Sequence, residues 1–174
     1  YTVATRMENI LMIPIIGIQN TMATFAGQNM GARQPERVSK GLGQGVLVSV
    51  LMTAALCLCQ LLGMELIIRA FKLDAAAAAI CRQHLFASVL SEPIFAIYFP
   101  ANGMFQGVGE GFHATFYALM ALGLRVVFAY SLYRTAFFGY TAIWWSQAMA
   151  WTLTLITCYA HFFRGKWKEK SLVS

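Results

Sequence analysis

The sequence predicts an all-α membrane protein, a bundle of five transmembrane helices, and three observations carry that prediction. Only 11% of the 174 residues are charged and 59% are hydrophobic, whereas a soluble domain usually carries about 25% charged residues. The apolar residues come in long runs rather than in amphipathic stripes. The chain breakers and most of the positive charges fall in the gaps between those runs, as expected when lipid is the solvent.

The first run spans about Asn9 to Gln28 (NILMIPIIGIQNTMATFAGQ). The second covers about Leu42 to Ile68, the third about Leu85 to Phe105, the fourth about Ala114 to Tyr133 and the fifth about Tyr140 to Phe163. Each reaches about 20 residues, enough for a helix to cross a hydrocarbon core about 30 Å thick. Backbone polar groups in hydrocarbon must be satisfied within the protein, which leaves helices or a closed barrel. The alternating pattern of barrel strands is absent. Residues 1–163 therefore read as one transmembrane unit, followed by a basic tail, 164–174.

The gaps hold the punctuation. GARQPERVSKG (Gly31–Gly41) carries Gly, Pro and charge, and FKLDAAAAAICRQ offers Asp74 as an N-cap before the alanines. GVGEGFH is short and glycine-rich, YRTAFFGY (Tyr133–Tyr140) reads as a tight reversal, and Trp167 in the tail reads as an interface anchor. With five alternating spans, one side gathers Arg33, Arg37, Lys40, Arg164, Lys166, Lys168 and Lys170. The other gathers Arg6, Arg69, Lys72, Arg82 and Arg134. The positive-inside rule puts the first side, and with it the C-terminus, in the cytoplasm of a multi-pass protein of the cell (inner or plasma) membrane. The chain opens on Tyr1 and runs straight into apolar sequence, so further sequence is expected before it.

Small residues recur at four-residue spacing, Gly41, Gly45 and Ser49, then Gly103, Gly107 and Gly111. Such spacing lets helix backbones approach closely, although the second set is equally readable as glycines at a loop edge.

Several function classes are excluded. Cys57, Cys59, Cys81 and Cys158 lack metal-ligand spacing and read as small packing residues. Esterase, metalloprotease and phosphate-loop signatures are missing, so no enzyme and no resident cofactor is expected. GVGEG does not have dinucleotide-loop spacing. His84, His113 and His161 lie in or beside gaps, far apart in sequence, and read as surface residues. The positive charges form no single basic face, which argues against nucleic acid. Without a phosphate-binding loop, any transport would draw on an ion gradient.

Polar groups inside the spans are the informative ones, because each is costly in lipid. Glu92 sits about eight residues into the third span, where a carboxylate is placed to bind and release a proton or to ligate sodium. Pro93 and Pro100 interrupt the helical hydrogen-bond ladder nearby and free carbonyls. The alternative is a purely structural pairing of Glu92 with a basic side chain. Arg125, in the fourth span, pairs with Glu92, faces an aqueous cavity or snorkels. Gln19, Asn20 and Thr24 in the first span line a cavity or hydrogen-bond between helices. Tyr98 and Asn102 are one turn apart and share a face of the third span.

The segment AGQNMGARQPERVSKGLGQG resembles the multidrug and toxic compound extrusion (MATE) family through Gly27, Gln28, Asn29, Gly31 and Ala32. NGMFQGVGEGFHATF is similar to that family's Asn-Gly…Gly-x-Gly-Asp segment at Asn102, Gly103, Gln106, Gly107 and Gly109, with Glu110 in place of the usual acid. LGLRVVFAYSL matches at Arg125, with Phe128 where proline is common, and RMENILMIP also fits. The resemblance covers nearly the whole chain and the matches come in the right order. It implies a twelve-span transporter of two six-helix lobes around a central cavity, of which these spans are the eighth to twelfth, most of the C-terminal lobe. The implied partners are membrane lipid, an N-terminal lobe of the same transporter and a small cationic substrate. The implied activity is export of cationic amphipathic drugs and xenobiotics in exchange for sodium ions or protons. Many members carry a cavity carboxylate eight residues before the glycine equivalent to Gly103. That position is Phe95 here, with Glu92 one turn earlier. The alternative activities are a lipid-linked precursor or polysaccharide flippase of the same superfamily, and a non-transporting membrane scaffold.

Overall fold

A computed structural model of the chain describes residues 2–72, 74–134 and 141–169, with the side chains of residues 2–4, 7 and 169 not described. Among the described residues five α-helices follow one another: α1 (Thr2–Gly31), α2 (Pro35–Ala70), α3 (Ala75–Gly107), α4 (Gly111–Tyr133) and α5 (Ala142–Arg164). A 3-10 turn, Lys166–Glu169, closes them. The all-helical reading of the sequence holds. The reversal expected near Tyr140 and the tail from Lys170 onward lie outside the described residues.

Local chemistry sets the helix ends. Pro35 occupies the first turn of α2, where a missing N–H costs nothing. The Asp74 carboxylate accepts from the Ala77 N–H at 2.7 Å and caps α3, as the sequence predicts. Gly165 ends α5 with φ of 72°, a left-handed conformation that favours glycine. The helices outrun the apolar runs. α3 starts ten residues before Leu85 and continues unbroken through Pro93 and Pro100, so each proline removes a backbone donor without ending the helix.

Among the described residues four helices are long and apolar enough to cross a membrane: Glu8–Gly31, Pro35–Ala70, Ala75–Gly107 and Gly111–Tyr133. The fifth, counted as a span from the sequence, has the length but not the apolarity. Trp144, Trp145, Gln147, Trp151 and His161 dilute its aliphatic residues.

α3 is the central element, packing against α1, α2, α4 and α5 and most extensively against α1. Gly103 and Gly107 explain that closeness. A Cβ on Gly103 would collide with the Gln19 carbonyl oxygen, and one on Gly107 with that of Ala23. These two glycines therefore serve backbone approach, whereas Gly111 has open space around it. On α2, Gly41 and Gly45 make room for Phe25 and Met22.

The main core gathers Leu42, Tyr98, Met104, Phe105, Tyr117 and Trp167. Trp167 is fully buried rather than anchored at an interface. It stacks on Phe162 at 5.5 Å and 15°, and its Nε1 donates to the Phe162 carbonyl at 3.1 Å. α2 and α4 keep Leu51, Leu62, Leu66, Phe116, Leu119 and Val127 exposed. Apolar faces of that extent suit lipid or further protein.

Candidate functional site

One face of α3 carries Ser88, Ser91, Glu92, Phe95 and Phe99, which the helical repeat stacks above one another. They line a cavity of about 410 Å³. α1 adds Glu8 and Met12, α4 adds Arg125, and α5 adds Gln147 and Trp151. Glu92 is 4% exposed and accepts a hydrogen bond from the Cys57 thiol at 2.9 Å. Glu8 accepts from the Ser88 hydroxyl and lies 3.0 Å from His84 Nε2. No ion pair joins Arg125 to either carboxylate among the described residues. Two acids and one guanidinium thus share a single cavity walled by aromatic rings.

A second cavity, about 430 Å³, lies on the other side of Phe99 and Trp151, which line both. Their rings stack at 6.0 Å and 28°, and Tyr98 and Phe95 meet Trp151 edge-on at 4.9 and 5.2 Å. This aromatic cluster partitions a charged compartment from one lined by Gln19, Asn102 and Gln106. Asn102 is the hub of the latter. Its Nδ2 donates to Tyr98 Oη and to the Ala114 carbonyl, each at 2.9 Å. Its Oδ1 accepts from Gln19 at 2.9 Å and from Gln106 at 2.7 Å. Both amide hydrogens and both oxygen lone pairs are therefore engaged, which makes Asn102 a rigid joint between α1, α3 and α4.

The sequence candidates divide accordingly. Glu92 and Arg125 meet in the charged cavity, and Gln19, Tyr98 and Asn102 meet in the amide cavity. Asn20 is exposed and lines neither cavity, because one residue along a helix turns the side chain about 100° away from Gln19. Thr24 donates to the Asn20 carbonyl within its own helix. The surface reading fails for His84 and His161, whereas the His113 side chain is 44% exposed. His84 is buried and stacks on Trp144 at 5.1 Å, while His113 and His161 both face the buried Glu110. Glu8, Ser88, Gln147 and Trp151 line the charged cavity and were passed over by the sequence reading. An acid immediately ahead of an apolar run was the one available signal for Glu8.

Comparison with known proteins agrees with this architecture. A family model described as MatE matches residues 1–131, well over half of the chain. No curated protein and no solved structure matches it at a significant level. With a matching family model, an all-helical bundle and apolar helices of membrane-crossing length, the chain belongs to the MatE family and is a multi-pass membrane protein of the MATE transporter type.

Proposed function

We propose that the chain is the cation-handling part of an antiporter that exports cationic, amphipathic compounds in exchange for sodium ions or protons. The observation that carries this reading is the charged cavity, where Glu8 and Glu92 stand beside Phe95, Phe99 and Trp151. An amphipathic cation needs a carboxylate for its charge and aromatic faces for its rings, and the cavity holds both. Glu92 lies one helical turn before Phe95, and both line the same space. In this reading a carboxylate displaced by three residues from the family's usual position serves the same cavity. Glu92 alternates between coupling ion and substrate. Binding of one weakens binding of the other, and that reciprocity links the two fluxes.

In this reading the exposed apolar faces of α2 and α4 meet lipid and an N-terminal lobe of the same transporter. The end holding Arg33, Arg37, Arg164 and Lys168 faces the cytoplasm of the cell membrane. The test is ion-gradient-driven accumulation of a cationic dye inside everted vesicles containing the full-length protein, the direction that corresponds to export from the cell. Glu92→Gln abolishes or strongly slows gradient-driven export while the protein still reaches the membrane. Export at the wild-type rate would remove Glu92 from the mechanism.

A further inference from the structure

We propose that Glu110, His113 and His161 form a divalent transition-metal site, of a kind suited to Zn²⁺, at the turn between α3 and α4. Glu110 and His113 are three residues apart at the start of α4, His161 joins them from the end of α5, and their ligand atoms lie within 4.8 Å of one another. His161 Nε2 is 3.3 Å and His113 Nδ1 is 3.5 Å from the same carboxylate oxygen, Oε2 of Glu110. A tetrahedral zinc ion with bonds of about 2.1 Å separates its ligands by about 3.4 Å. Two of the three edges of such a site are therefore already at their ligated length. The remaining imidazole-to-imidazole edge closes by rotation of His113, whose side chain is 44% exposed.

The supporting residues fit the same purpose. Tyr117 Oη lies 2.6 Å from His161 Nδ1, and Phe105 stacks on the His161 ring at 4.9 Å and 13°. A proton on Nδ1 directed at the tyrosine leaves Nε2 with its lone pair toward Glu110, the arrangement that orients ligating histidines. Glu110 is 4% exposed, and a buried carboxylate between two imidazoles is well matched to a cation. Two imidazoles and one carboxylate favour zinc and neighbouring borderline metals over magnesium or calcium, which prefer all-oxygen shells. Three protein ligands leave a fourth position for water on the exposed His113 side. His161 lies beyond the segment that the family model covers.

The ligands span the α3–α4 turn, the first turn of α4 and the last turn of α5. A bound ion therefore fixes α5 against the hinge of the helical pair before it, and acts as a brake on any rearrangement that separates them. The site is remote from the charged cavity and stands whether or not that cavity transports cations.

The test uses the intact protein in detergent, stripped of metal with a chelator, then titrated with Zn²⁺ against a chromophoric competitor and separately with Co²⁺. Expected are one equivalent of tight zinc binding and the visible absorption of tetrahedral cobalt. His113→Ala and His161→Gln weaken binding tenfold or more, and Tyr117→Phe weakens it about tenfold. Cys59→Ser, which removes an exposed thiol, leaves it unchanged. His113 is exposed enough that its variant retains the fold, checked by size-exclusion elution. Equal zinc affinity in the wild type and His113→Ala overturns the site, as does a wild type that captures no zinc from the competitor.

Discussion

Replacing Gly103 with alanine adds one methyl group at one of the tightest backbone contacts of the bundle. A Cβ there would sit 2.9 Å from the Gln19 carbonyl carbon and 3.1 Å from its Cα, and would overlap the carbonyl oxygen. Ordinary carbon contacts lie at about 3.5–4.0 Å, so α1 and α3 must part by roughly 1 Å. That displacement stretches the 2.9 Å bond from Gln19 to Asn102 toward breaking. Overpacking costs about 1–3 kcal/mol, and loss of one largely buried hydrogen bond adds about 1 kcal/mol. The expected destabilisation is about 2–4 kcal/mol, which lowers the folded-to-unfolded ratio by about 30-fold or more. Cys57, Cys81 and Cys158 are buried and free, so a thiol-reactive dye reports unfolding directly on a Cys59→Ser background. Gly111→Ala is the matched control, since nothing lies within 4 Å of a Cβ there. A Gly103→Ala protein that melts with the wild type, or a Gly111→Ala protein that falls equally, would refute the backbone-contact argument.

Three further outcomes are expected. Asp74→Ala removes the cap of α3 and costs about 1 kcal/mol, read as an earlier thermal transition with the same dye. Trp151→Ala opens the aromatic partition between the two cavities, so bulkier cationic dyes gain binding relative to small ones in fluorescence titrations. An unchanged size preference would show that the ring is not a divider. Lys168→Ala leaves the melting transition where it was. Its 2.9 Å pair with Glu36 is exposed and contributes little, so a clear shift would mean that the pair holds the tail in place.

The bundle was legible because its signal is local. Long apolar runs declare helices wherever they fold, and Asp74 before five alanines declares where α3 begins. Hydropathy undercounts helix ends, because a polar first turn such as Pro35–Lys40 and a weakly apolar alanine stretch such as Ala75–Ala79 remain helical outside the strongly apolar runs. The site was only half legible. Glu92 and Arg125 announce themselves as charges within apolar sequence, but Glu8 stands one residue outside the first run and looks like a flank. His84 and His161 were misread for a different reason. Nothing in sequence spacing shows that the end of α5 folds back onto the α3–α4 turn, bringing residues 110 and 161 together. Gln19 and Asn20 look equivalent in the chain, and only the helix phase separates a cavity residue from an exposed one.

The burial of Trp167 has a practical side. Three residues past the end of α5, the indole fills the core beside Leu42 and Phe105, so the polypeptide cannot be cut back to the end of α5 without leaving a hole. A reporter or purification handle fused directly after Arg164 would evict the ring. The same handle joined beyond Glu169 would leave it seated.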